Sequence, residues 1–97
     1  SARRRSGAGA EGGDRLRFAR SAQRDLPRLD RPIRLGVREA IGLLAATGQG
    51  DIARLRGVEP PEYRLRVGDW RVRFARDAGA RTITVLRVLP RGRAYER

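Results

Sequence analysis

The stretch YRLRVGDWRVRF at positions 63–74 decides the fold. Apolar and arginine side chains alternate along it, and Gly68-Asp69 interrupts the alternation at its centre. A period of two marks a half-buried strand, and glycine accepts the positive φ that a two-residue turn requires. The stretch therefore predicts a β-hairpin in which Val67 faces Trp70, Arg66 faces Arg71, Leu65 faces Val72 and Arg64 faces Arg73. Strand parity then gives Tyr63, Leu65, Val67, Trp70, Val72 and Phe74 one face, to be packed on helices. Arg64, Arg66, Arg71 and Arg73 share the other. Opposed like charges destabilise a strand pair by about 0.2–1 kcal/mol each, so two stacked arginine pairs are a cost that an anion lying across them would reverse. The alternative is an outer sheet face left to solvent.

Composition points the same way. Lys and Arg together number 23, every one of them Arg, against 11 acids, for a formal net charge of +12 and a pI near 11.8. A biased base composition explains Arg in place of Lys, but not the excess of charge, which calls for a polyanionic partner. The chain has no Cys and no His. That excludes a disulfide framework, thiolate metal sites and the usual zinc, copper and haem ligands, so no cofactor is expected; it also removes the commonest general base. With 97 residues there is room for one core. Nothing reads as a secretory segment or a membrane-spanning apolar run, so a cytoplasmic protein without a membrane partner is the expectation.

Outward from the hairpin, residues 1–13, SARRRSGAGAEGG, read as a flexible basic tail or a cloning remnant, leaving 14–97 as a single domain. Leu16 to Ala19 predicts a short first strand. Ser21 is placed to cap a helix carrying Ala22, Leu26 and Leu29, which Pro27 shortens or kinks. Asp30 and Pro32 open a second helix with Ile33, Val37, Ala40, Ile41 and Leu44 on one side, closed at Thr47-Gly48-Gln49-Gly50. Gly36 and Gly42 inside it suggest close packing against the first helix. Leu55 and Gly57 fall in a connection running to Pro60 and Pro61. Beyond the hairpin, Asp77 to Ala80 turns the chain into Thr82–Leu89, apolar or β-branched except for Arg87, as expected of a central strand covered on both sides. The fold class is α+β, β-α-α-β-β-β, with a two-helix hairpin packed on one face of a small, mostly antiparallel sheet.

This order, together with FARSAQRDLPRL at 18–29, ARLRG at 53–57, the hairpin itself and VLRVLPRGRAY at 85–95, resembles the RelE/ParE superfamily of toxin–antitoxin toxins over residues 14–97. The resemblance implies a RelE-like fold. In the RelE-like branch it implies a bacterial or archaeal ribosome-dependent endoribonuclease that cuts mRNA in the decoding site and is neutralised by a cognate antitoxin. Its partners are then the antitoxin, the ribosome and mRNA, with operator DNA contacted only through the toxin–antitoxin complex. ParE-like members share the fold and inhibit DNA gyrase instead, and a non-catalytic basic nucleic-acid-binding module is a third reading.

Site residues follow from the same resemblance. Arg64 and Arg66 stand where the family has basic residues on the first hairpin strand, and Arg71 at its nearly constant arginine after the turn. Arg91 matches the basic residue after the last strand, and Tyr95 the aromatic that stacks on a base. Arg73 and Arg93 extend the set as RNA contacts. Cleavage by this route has the ribose 2′-OH attack the adjacent phosphate while guanidinium forks stabilise the developing charge. A guanidinium does not abstract protons. Many relatives have His or Lys where this chain has Pro90 or Arg, which leaves the general base open. Glu62 lies on the arginine face by parity and is the one carboxylate available, although the cations around it weaken it as a base; a local salt bridge is its alternative role.

Overall fold

The computed structural model of the protein describes residues 13–92. Strand β1 (Arg15–Phe18) leads into helix α1 (Arg20–Asp25) and a 3-10 turn (Leu26–Arg28), followed by α2 (Arg31–Thr47) and then β2 (Asp51–Arg54), β3 (Tyr63–Val67), β4 (Trp70–Asp77) and β5 (Thr82–Pro90). The strands form one sheet in the order β1-β5-β4-β3-β2, with β1 parallel to β5 and every other pair antiparallel.

The β3–β4 hairpin has the predicted register, from Tyr63↔Phe74 to Val67↔Trp70, and Gly68 takes the positive φ of its turn at 57°. Leu65, Val72 and Phe74 are buried, with Tyr63 stacked on Phe74 at 5.5 Å between ring centroids. Val37, Ile41 and Leu44 of α2 close over them, as do Ala22, Leu26 and Leu29 from α1 and the segment after it. Each fully buried large side chain contributes about 1.5–3 kcal/mol, more than an opposed arginine pair costs, so the apolar face fixes the register and the arginines must follow. Gly48, at φ 77°, ends α2 where a left-handed residue was expected. Pro27 does shorten the first helix, which passes into the 3-10 turn.

Four local expectations are corrected. Residues 51–54, expected within a connection, form an edge strand running from Asp51↔Arg66 to Arg54↔Tyr63 and so satisfy the outer backbone groups of β3. Helix α1 begins at Arg20, so Ser21 lies in its first turn and is not its cap. The start is set by the sheet instead: the Ala19 N–H donates to Val85 O at 2.8 Å and Gln23 Nε2 to Phe18 O at 2.9 Å. Gly36 and Gly42 are not close-packed, since a Cβ on either would meet nothing within 4 Å. Finally, β5 is the second strand of the sheet, not its middle, and a bulge interrupts its alternation. Phe74 pairs with Val85 but Arg73 pairs with Arg87, which makes Leu86 the extra residue. Ile83 and Val85 face the core, and beyond the bulge Val88 takes over that role from Arg87.

Candidate nucleic-acid interface

Because the hairpin register and the bulge act together, Arg64, Arg73 and Arg87 stand abreast on β3, β4 and β5. Neighbouring strands lie about 4.7–4.9 Å apart, so this row spans about 10 Å of backbone. Arg66 and Arg71 form a second pair two residues nearer the turn. Arg91 follows the Trp70↔Pro90 pair, and its N–H donates to Asp69 O at 2.7 Å, which brings the end of β5 to the hairpin turn.

The guanidinium groups do different things. Arg66 is the open one, with 57% of its side chain exposed and Asp51 at 3.9 Å. Arg71 is 7% exposed and folds onto the turn, its Nη1 donating to Gly68 O at 2.8 Å and to Trp70 O at 2.9 Å. Arg73 is equally buried and donates to Glu62 Oε1. Glu62, the one carboxylate considered as a base, is therefore the counter-ion of Arg73. Arg64 is half-buried and Arg91 is exposed. The structure thus brings Arg66, Arg71 and Arg91 to the turn end of the hairpin, sets Arg64 two residues further along the same face, and closes Arg73 and Glu62 on each other. Tyr95 and Arg93 lie outside the described residues.

Sequence reasoning missed Asp25 and Arg87. Strand β1 pairs with β5 only as far as Val85, which leaves the edge beyond it open. Helix α1 brings Asp25, 6% exposed, to that edge. Its Oδ2 accepts from the Val88 N–H at 2.8 Å and from Arg87 Nε at 2.9 Å, and its Oδ1 from Arg87 Nη2 at 3.2 Å. The hydrogen bonds to Asp25, with its charge assisting and a little burial opposing, push the Arg87 guanidinium above its ordinary range. The signal was present in the spacing of Ala22, Asp25, Leu26 and Leu29, which puts the aspartate on the buried side of its helix. Among the described residues no three carboxylates gather as a metal site, and no helix is long and apolar enough to cross a membrane.

Solved structures similar to this chain include several toxins. A chain of the archaeal RelE–RelB complex from Pyrococcus horikoshii OT3 matches with a TM-score of 0.71 and 25% identity, over 84% of this chain and 99% of that one. A chain of the toxin–antitoxin complex RelBE2 from Mycobacterium tuberculosis matches with a TM-score of 0.70 and 31% identity, over 81% and 99%. The isolated RelE toxin of E. coli, at 18% identity and a TM-score of 0.68 over 84% and 88%, shares the fold. No curated protein matches the chain significantly. The fold is therefore that of the RelE-like toxins of type II toxin–antitoxin systems. The family model described as ParE toxin of type II toxin-antitoxin system, parDE, matches residues 16–95, and the chain belongs to that family, within the RelE/ParE superfamily.

Proposed function

We propose that the protein is a ribosome-dependent endoribonuclease that cleaves mRNA by attack of a ribose 2′-OH on the scissile phosphate. The observation that carries this reading is the gathering of Arg66, Arg71 and Arg91 at the turn end of the hairpin, with Arg64 two residues further along the same face. Arg64, Arg66 and Arg71 bind the phosphate, Arg91 stabilises the transition state or the leaving oxygen, and Tyr95 holds a base. Arg73, closed on Glu62, braces the face from beneath. Catalysis is electrostatic and orienting: the fixed guanidinium charge stabilises the phosphorane-like state, and the ribosome supplies the substrate geometry. Free RNA is then a poor substrate.

The proposed partner is an acidic antitoxin segment. A cleft of about 520 Å³ between β1 and the helices is lined by Leu16, Phe18 and Leu26 together with Arg17, Arg34 and Arg38, which suits an amphipathic acidic peptide. The similar toxins from P. horikoshii and M. tuberculosis were solved in RelE–RelB and RelBE2 complexes.

The test is mRNA cleavage in a purified translation system. Arg66→Ala and Arg91→Ala should each lower the cleavage rate about 100- to 1000-fold, the range seen when one transition-state donor is lost, without unfolding the chain. Cutting at the parent rate by both variants removes the site. The membership of the ParE family favours a second reading, inhibition of DNA gyrase, in which supercoiling stops while mRNA stays whole. Inducible expression followed by mapping of mRNA 5′ ends separates the two.

A further inference from the structure

The arginine row does not stop at the sheet. Beyond Arg87 lies a niche of about 260 Å³ lined by Ser21, Arg24, Asp25, Arg28 and Arg87, none of them apolar. Its single carboxylate is spent: both Asp25 oxygens already accept from Arg87, and Oδ2 also takes the Val88 N–H. Arg87 uses one N–H of Nε and one of Nη2 in that pairing, which leaves three of its five N–H groups without a protein acceptor among the described residues. Arg24 and Arg28 are exposed and make no ion pair among the described residues. The niche therefore holds three guanidinium groups and a hydroxyl against one neutralising charge, with donors well in excess of acceptors. An oxyanion is the ligand that such an inventory fits.

We propose that this niche is a subsite for a backbone phosphate of single-stranded RNA, flanking the nucleotides held at the hairpin. The inference rests on the nuclease reading above and extends it. Arg87 belongs to both features, being abreast of Arg64 and Arg73 in the sheet and a wall of the niche. A single extended strand can therefore pass from the turn end of the hairpin, over the row, to Arg24 and Arg28. Asp25 takes no part in binding; it fixes the Arg87 plane so that the remaining N–H groups are presented without a search through rotamers.

Binding of a single-stranded oligoribonucleotide, 2′-O-methylated throughout to block cleavage, tests this on the full chain as a function of salt. Arg24→Ala/Arg28→Ala is compared with Arg31→Ala/Arg56→Ala, an equal loss of charge at exposed positions outside the niche and the cleft. Each phosphate contact on a single strand contributes about 0.7 to the slope of log affinity against log salt. The niche variant should bind about tenfold more weakly and lose about 0.7 of that slope, with the control variant within threefold of the parent. Equal weakening by the two variants overturns the subsite. Inorganic phosphate forms the second arm, followed through the arginine Nε–H signals of the ¹⁵N-labelled chain. Saturable phosphate binding at Arg24 and Arg28 with no niche-specific loss of oligonucleotide affinity makes this a free-phosphate site and overturns the RNA assignment. If Arg64→Ala/Arg66→Ala weakens oligonucleotide binding and the niche variant does not, the subsite alone falls; if neither does, the nuclease reading falls with it.

Discussion

Asp25 holds three donors at once, and two of the three come from a residue on the surface. The third, the Val88 N–H, belongs to a residue 2% exposed. Asp25→Ala strands that buried donor, at about 1–3 kcal/mol, while the half-exposed Arg87 rehydrates and adds little. We expect a loss of about 1–3 kcal/mol by urea denaturation, and about half of that for Asp25→Asn, whose amide oxygen still accepts; equal losses would place the energy in the charge and not in the edge hydrogen bond. The pH dependence has a defined sign. Arg87 has its folded value raised, so its contribution is complete below the ordinary arginine range and is lost only as pH rises through the folded value. The stability difference between the parent and Arg87→Ala should therefore stay constant from pH 7 to pH 10, and a decline within that window would contradict the assignment.

At the scale of elements, α2 carries two glycines that cost helix stability and gain no contact. Gly36→Ala and Gly42→Ala should each stabilise the protein by about 0.5–1 kcal/mol, read as a rise of roughly 2–8 °C in Tm for a domain of this size. A fall in Tm would mean that their exposed helix surface is used for packing after all. The hairpin was legible because a two-residue turn fixes the offset of its strands, and the offset fixes every partner. The strand at 51–54 was not, since Ile52 is the one large apolar residue in DIAR and the partner that makes it a strand lies beyond two prolines. Nor does local sequence announce the bulge at Leu86, which depends on how β4 and β5 pair. That one inserted residue moves Arg87 off the core side, which Ile83 and Val85 occupy, to its place beside Arg73. Of the candidate site, the face of Arg64, Arg66, Arg71 and Arg73 was legible from alternation; the burial of Arg71 and Arg73 was not, because the acceptors that take them in are turn carbonyls and Glu62.

Taken whole, the molecule carries a formal net charge of +12 on 97 residues. Self-repulsion of this size opposes compaction and is screened by salt, whose Debye length shrinks from about 10 Å at 0.1 M to about 3 Å at 1 M. Between these two salt concentrations the Tm should rise by about 4–8 °C, equivalent to about 1 kcal/mol. A Tm independent of salt would mean that the carboxylates already balance the arginines locally.

The parallel pairing of β1 with β5 has a consequence for how the molecule comes into being. Strand β5 joins β1 to the remainder of the sheet and is made after all the other strands described. While the protein is being synthesised, its first strand and its hairpin have no bond between them until residues 82–90 clear the exit tunnel. A truncated or still-growing polypeptide lacks the third guanidinium of the row and the edge that Asp25 covers, so the assembled surface exists only once translation has passed that point.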